Sequence, residues 1–467
     1  MSKLKKNLIF YITYNTLFLF LPLVMSSYLS RILGAEGIGR YTYAYSIALY
    51  FVYFIGLGLD KYGNRMIASV QKNKELLSKT FSEIYTMQIL CFGMGGASYF
   101  LYAFFIAEDK EFALIQTVFV LSSLFEINWF FFGMEMFDKA VIRNILVKLM
   151  STVLTFMVVK TKSDVDKYAL IMAVSYLVHQ LVLWPYLFKH VDFKFAKWKD
   201  IKKHIRPNLT MFLPVIAASM CQIIDKIMLG MMTTKAQVGF YENAEKIADC
   251  PKVLIAALGT VMFPRVTVLI SEKRNQEVNC YRDAVIMIVT AFCVAACFGI
   301  IGVGDSFAFW MWGEDFAMSG RVMKYLSATL IFFGIGNVIR TQFLIPYQYD
   351  NVYVISVFLS IIVNIAVNAF LIPPMGAIGA AIGTICAEAV ACLYQLFLMR
   401  KHLPLLKYAR DIALFCIAGV VMLLVIIFVP AIPSVIGNLL IHTTAGAVVY
   451  LLLAIPLLYK EIKVLRR

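Results

Sequence analysis

The sequence predicts an all-α integral membrane protein with about 14 transmembrane helices, and three observations carry that prediction. Apolar runs of membrane length follow one another from end to end. Of the 467 residues, 61% are hydrophobic and 15% charged, with mean hydropathy +0.79; an ordinary globular chain is roughly 25% charged. Basic residues collect on alternate connections, and a short motif recurs at an offset of 200 positions.

Runs of about 20 predominantly apolar residues lie near 8–31, 40–59, 84–106, 112–133, 144–160, 167–188, 208–231, 237–263, 283–304, 321–345, 351–372, 376–399, 410–430 and 434–458. The run at 144–160 is short, and the one at 237–263 is charged. The N-terminal run follows a basic head, exceeds a secretory h-region and lacks an A-x-A-like site, so it is expected to be a retained first helix. With the N-terminus cytoplasmic, 29 of the 43 Lys and Arg fall on cytoplasmic connections and 9 on the opposite side. The remaining five, Lys148, Lys226, Lys246, Lys252 and Arg340, fall inside the runs, residues near a run's end being counted with the adjoining connection. That asymmetry predicts an even number of spans with both termini cytoplasmic. It also accounts for the net charge of +15 without nucleic acid. The segment 189–207, KHVDFKFAKWKDIKKHIRP, is the most basic connection, and it separates the first six spans from the rest.

Nine cysteines and five histidines are scattered without metal-ligand spacing. Cys293 and Cys297, one turn apart in an apolar run, read as small hydrophobes. Neither a disulfide, nor a structural zinc, nor a cofactor is expected.

The stretch Pro207–Pro251 breaks the apolar pattern with charge. Asp225, Lys226, Glu242, Glu245, Lys246 and Asp249, with Lys252 beside them, sit in sequence apolar enough for lipid. A charge near the middle of a bilayer costs roughly 2.5–3.5 kcal/mol on insertion scales, so such residues normally face a bundle interior or a wet cavity. Glu242, Glu245, Asp249 and Lys252 are spaced to share one helix face. The repeat adds to this. Gly39, Tyr41, Ala44 and Ile47 recur as Gly239, Tyr241, Ala244 and Ile247, Arg31-Ile-Leu-Gly34 is echoed by Lys226-Ile-Met-Leu-Gly230, and Pro22 and Pro214 interrupt the preceding helices. Repeated halves with interrupted helices around a midplane site are a build of secondary transporters.

The run at 21–68, LPLVMSSYLSRILGAEGIGRYTYAYSIALYFVYFIGLGLDKYGNRMIA, resembles the N-terminus of bacterial polysaccharide flippases, the O-antigen and capsule-repeat exporters. IDKIMLG, VGFYENAEKI and MGAIGAAIGTICAE (375–388) are similar to that family's other signature stretches. The family belongs to the multidrug/oligosaccharidyl-lipid/polysaccharide exporter superfamily. The resemblance implies two pseudo-symmetric six-helix lobes plus two C-terminal helices: an N-lobe at 1–188, the basic inter-lobe loop at 189–207, a C-lobe at 208–400 and the extra pair at 401–467. It further implies alternating access, moving an undecaprenyl-diphosphate-linked oligosaccharide from the inner to the outer leaflet of the bacterial plasma membrane. Membrane lipids, and a polysaccharide polymerase with its assembly proteins, would be partners.

An anionic diphosphate with a glycan and an apolar tail calls for cations at membrane depth and aromatic walls. Arg31 and Lys226 are the candidate diphosphate ligands, Arg through a bidentate fork and Lys as a point charge. A snorkelling role at the interface is the alternative for Arg31. Arg340 is a candidate cavity cation or an interfacial anchor. Lys246 and Lys252 either contact substrate or are neutralised by Glu242, Glu245 and Asp249 in a structural network. Asp225, Glu245 and Asp249 are alternatively a coupling-ion site. Tyr41 and Tyr241 are candidate sugar-stacking residues, as are Tyr43, Tyr45, Tyr50 and Tyr53, with packing as the plainer role. Gly376, Gly379 and Gly383 have the small-xxx-small spacing of close helix contact. The sequence shows no Walker A pattern, no nucleophile–base arrangement and no long extracytoplasmic loop for catalytic residues, so an enzyme is not expected. A cation-coupled drug or peptidoglycan-precursor exporter of the same fold stays open, and a membrane-embedded glycan polymerase or ligase is the more distant rival.

Overall fold

The computed structural model describes residues 3–430 and 432–465. Side chains are described throughout that range except at 3–20, 137–141, 213–215, 217, 218, 221, 222, 260, 261 and 460–465. The interruption expected at Pro214 therefore lies outside the described residues.

Every regular element among the described residues is a helix. In chain order they are α1 (Lys3–Gly56), α2 (Leu59–Val70), α3 (Lys74–Leu101), α4 (Lys110–Ser122), α5 (Asn128–Gly133), α6 (Phe137–Val158), α7 (Val165–Leu181), α8 (Trp184–Leu187), α9 (Trp198–Met232), α10 (Lys235–Ser271), α11 (Asn275–Trp312), α12 (Ala317–Ser327), α13 (Thr329–Ile339), α14 (Asp350–Met375), α15 (Ala377–Leu398), α16 (Leu405–Phe428) and α17 (Val435–Leu465). Eleven stretches among the described residues are long and apolar enough to cross a membrane. The all-α, multi-pass membrane architecture follows.

α1 holds 54 residues, about 80 Å at 1.5 Å per residue, against a hydrocarbon core of about 30 Å. It is two helices joined at Gly34, whose backbone (φ 69°, ψ 177°) leaves the helical region. A residue with a Cβ is strained at that φ, which is why the junction is glycine. The first two apolar runs of the sequence thus meet at a kink.

The chain divides into two compact units. Unit 1 comprises residues 1–25 and 32–223, and unit 2 comprises 26–31 and 224–467. In unit 1, α2 packs on α5, and α4 and α6 pack on α7. Its core is aromatic: Phe81 stacks on Trp129 at 5.4 Å and meets Phe130 edge-on. Gly63 makes this possible, since a Cβ there would lie 2.7 Å from the Trp129 ring. The Trp129 indole N–H donates to Gln88 (3.2 Å).

The basic connection is shorter than 189–207, because α9 begins at Trp198. Window hydropathy reads its charged first turns as loop although they continue the helix. The remaining segment runs extended along α3. The N–H groups of Asp192, Lys194 and Ala196 donate to the hydroxyls of Ser78, Ser82 and Thr86 at 3.2, 3.1 and 3.2 Å. Two strand residues advance about 6.6 Å and four helical residues about 6 Å, so the two periods run in step.

Unit 2 is organised around α11, which packs against α12, α13, α16 and α17, while α14 lies along α15. Gly379 and Gly383 permit that approach. A Cβ would sit 2.2 Å from the Leu371 carbonyl oxygen at the first and 1.9 Å from Asn368 Oδ1 at the second. Beyond α13 the helix widens to a π turn over Arg340–Leu344, a local excess of one residue often found where a side chain has a functional role.

Candidate functional site

Asp225 and Lys226 are neighbours on α9, and successive helical residues point about 100° apart. They accordingly enter different environments. Asp225 is 1% exposed and faces α14 and α15. One carboxylate oxygen accepts from Asn364 Nδ2 (2.9 Å) and Asn368 Nδ2 (2.6 Å). The other accepts from the Tyr241 hydroxyl and from Thr384 Oγ1, each at 2.8 Å. Four donors on one carboxylate are what a buried anion without a cation beside it requires. Gly383 contributes by leaving room for Asn368.

Lys226 turns towards α10, where its ammonium lies 2.7 Å from Glu242 and 2.6 Å from Glu245. Glu242 also takes Lys246 at 3.1 Å (i, i+4), and Asp249 takes Lys252 at 2.9 Å (i, i+3). The Lys252 ammonium stands 5.6 Å above the Phe333 ring. Glu388, one turn beyond Thr384 on α15, is within electrostatic reach of Lys252, Asp249 and Arg340. Arg340 donates to the Tyr353 hydroxyl (3.2 Å), with its guanidinium 5.3 Å from that ring. These residues form one group in unit 2, four cations (Lys226, Lys246, Lys252, Arg340) against four carboxylates (Glu242, Glu245, Asp249, Glu388).

Arg31 belongs to unit 2 with the rest of residues 26–31. Its guanidinium is exposed and donates to the Trp310 carbonyl (2.6 Å). That segment is fixed by side chains: Asn243 donates to Ser30 (2.7 Å) and accepts from Ser26 (3.0 Å), and the Trp312 indole donates to Ser26 (3.0 Å). Among the described residues no carboxylate lies within ion-pair distance of Arg31 or Arg340. Tyr41 lies in unit 1, stacked on Tyr45 at 5.7 Å and tilted over Tyr168 at 4.7 Å.

The structure therefore gathers Asp225, Lys226, Arg340, Tyr241, Glu242, Glu245, Lys246, Asp249 and Lys252 in unit 2, and Tyr41 belongs to unit 1. Tyr241 is fully buried, so its hydroxyl serves Asp225 and its ring faces no open space. Several participants were not singled out from the sequence. Glu388 carries the same signal as the others, a charge inside an apolar run. Asn364, Asn368, Thr384 and Asn243 have no such signal, because a neutral amide or hydroxyl is common in apolar helices. Arg143 was assigned to a connection, yet it is 4% exposed within α6, which starts earlier than expected. It donates to Asn128 (2.8 Å) and Asn144 (2.7 Å), and Asn128 in turn donates to Glu126 (2.6 Å). Unit 1 thus has its own buried polar chain.

Comparison with known proteins bears on the identity of this arrangement. The family model described as "Polysaccharide biosynthesis protein" matches residues 4–270, and that described as "Lipid II flippase MurJ" matches 140–459. A putative O-antigen transporter of Shigella dysenteriae is 21% identical over 408 residues, covering 84% of this chain and 99% of the relative. A probable low-salt glycan biosynthesis flippase of Haloferax volcanii is 24% identical over 172 residues, 36% of this chain and 35% of the relative. The solved structure of a lipid II flippase MurJ in an inward closed conformation superposes with TM-score 0.79 at 16% identity, covering 97% of this chain and all of that one. With each family model matching more than half of it, the chain belongs to the family described as polysaccharide biosynthesis proteins, and its larger C-terminal part also matches the lipid II flippase MurJ family.

Proposed function

We propose that the protein is a flippase that carries undecaprenyl-diphosphate-linked oligosaccharide from the inner to the outer leaflet of a bacterial plasma membrane by alternating access. The observation that carries this reading is the match along 99% of an O-antigen transporter, joined to a cluster of cations inside apolar helices. Both termini are cytoplasmic in this reading, the 29 to 9 distribution of basic residues supporting it. The N-lobe is 1–188, the C-lobe 208–400, and 401–467 the additional pair. No covalent chemistry is performed, and the product passes to a polysaccharide polymerase and its assembly proteins.

The cations divide by what already holds them. Among the described residues, Arg31 and Arg340 donate only to neutral oxygen acceptors, so a diphosphate meets them without displacing a described carboxylate. Lys226 is held by two carboxylates, and an incoming diphosphate competes with Glu242 and Glu245 for it. That competition is a switch: the lysine is carboxylate-paired when the carrier is empty and phosphate-paired when it is loaded. Protonation of either glutamate favours the loaded pairing, which links transport to proton supply. The Asp225 nest is the second place for a coupling ion, since its Asn and Thr oxygens surround a single anion.

Complementation tests the reading. A strain lacking its own polysaccharide flippase regains surface glycan with the wild-type chain, and Arg31→Ala abolishes that rescue while the protein remains in the membrane. Arg31→Lys keeps part of it, because charge survives while the bidentate fork is lost. Full surface glycan from Arg31→Ala and Arg340→Ala together would remove the diphosphate assignment.

A further inference from the structure

Glu388 lies midway along α15 (Ala377–Leu398), a helix long and apolar enough to cross a membrane, and it is half-buried there. Thr384, one turn earlier on the same helix, donates to Asp225. The helices packed around α15 are α10, α12, α13 and α14. From α10, Lys252 and Asp249 act on Glu388, and from the π turn after α13 Arg340 does. Among the described residues α12 and α14 bring no charged group to it. On its own helix its titratable neighbour is Cys392, one turn on.

What holds each carboxylate sets Glu388 apart from the rest of the group. Glu242 holds Lys226 and Lys246, Glu245 holds Lys226, and Asp249 holds Lys252. Asp225 accepts four hydrogen bonds. Among the described residues Glu388 has no cation within ion-pair distance and accepts no hydrogen bond. A proton on any of the others weakens an ion pair or a donor contact. A proton on Glu388 disturbs none.

Charge balance decides when that proton is needed. Lys226, Lys246, Lys252 and Arg340 match Glu242, Glu245, Asp249 and Glu388 in number, so an arriving diphosphate brings negative charge that nothing within the group offsets. Uncompensated charge in surroundings of low dielectric is costly. A proton is the smallest cation that removes it, and a neutral Glu388 leaves Lys252 and Arg340 more attractive to phosphate.

We propose, resting on the diphosphate reading above, that Glu388 takes up a proton when a lipid-linked diphosphate binds, so that loading is linked to pH. The proton comes from water, forms an O–H bond on the carboxylate, and returns to water when the diphosphate leaves. Because the bound state holds the extra proton, affinity is highest at low pH and falls as pH rises through the titration of Glu388.

The test is calorimetric titration of the full-length protein in detergent with farnesyl-diphospho-N-acetylglucosamine, whose phosphodiesters stay ionised throughout the neutral range. Repeating the titration in buffers of different ionisation enthalpy counts the protons exchanged. The wild type is expected to take up about one proton per bound ligand, with Kd rising up to about tenfold per pH unit. Glu388→Gln, the shape of the neutral acid, should bind with an affinity independent of pH and take up no proton. Glu388→Asp should restore the uptake, which a merely structural role for the side chain would not produce. Wild-type binding without proton uptake, uptake that persists in Glu388→Gln, or loss of binding in Glu388→Gln would each overturn the proposal and leave the diphosphate reading standing. No binding by the wild type would remove that reading and this proposal together.

Discussion

The two copies of the repeat show what differs between the halves of this molecule. Gly39, Tyr41, Ala44 and Ile47 in unit 1 match Gly239, Tyr241, Ala244 and Ile247 in unit 2, but the positions between them do not. Thr42, Tyr45 and Ser46 in the first copy stand where the second has Glu242, Glu245 and Lys246. The same helix geometry carries hydroxyls and a ring in one unit and three ions in the other. The partners follow suit. Tyr45 meets Tyr176 and Phe119, whereas Glu245 meets Lys226. Even the shared tyrosine plays two different roles, since Tyr41 stacks on rings and Tyr241 donates to a buried carboxylate. A repeated scaffold thus carries aromatic contacts at these positions in one unit and ionic ones in the other.

The comparison can be broken most forcefully at Lys226. Lys226→Ala removes the partner of two carboxylates in apolar surroundings, a change of about 3–5 kcal/mol where a buried charge loses its counterion. Detergent-extracted protein should melt at markedly lower temperature and surface glycan should vanish. Adding Glu242→Gln and Glu245→Gln removes both carboxylates and leaves only the partly exposed Lys246 without its counterion, so the triple variant is expected to recover most of its melting temperature but not its transport. A melting temperature for Lys226→Ala equal to that of the wild type would show that the lysine is not held as described.

Next in size is the tyrosine pair. Tyr241→Phe takes one of four donors from Asp225, worth about 1.5–3 kcal/mol for a hydrogen bond to a charged group. Thermal melting should register it clearly. Gly383→Ala attacks the same nest from behind, since its Cβ would strike Asn368 Oδ1. Overpacking costs typically about 1–3 kcal/mol, and the variant should melt lower and lose transport in step. Tyr41→Phe is expected to be the smaller change, because the ring contacts with Tyr45 and Tyr168 persist and no buried carboxylate loses a donor. Were Tyr41→Phe and Tyr241→Phe to destabilise equally, the contrast between the two copies would have no energetic content.

Much of this was legible in the sequence, for reasons that particular residues make plain. The helices declare themselves by runs of apolar length, and the ionic stripe on α10 by charges three and four positions apart. That Asp225 and Lys226 diverge follows from about 100° per residue. The partners of Asp225 were not legible: Asn364, Asn368 and Thr384 lie 139–159 positions away, and neutral polar residues leave no mark in a hydropathy profile. Arg143 escaped because the run expected at 144–160 belongs to a helix starting at Phe137. The first turns of α9 read as loop for the same reason, charge being counted against a helix it in fact decorates. The kink at Gly34 is visible as a glycine, but only the backbone angles show that it joins two spans into one continuous element.

The most direct test of the account is translocation in proteoliposomes. Purified wild type and the Lys226→Ala, Glu242→Gln, Glu245→Gln triple variant would be reconstituted with a labelled undecaprenyl-diphosphate oligosaccharide, and accessibility of the glycan to an impermeant enzyme followed in time. The account predicts that the wild type equilibrates the lipid across the bilayer while the folded triple variant leaves it where it was placed. Equal rates for both would contradict the claim that the charged interior of unit 2 handles the diphosphate.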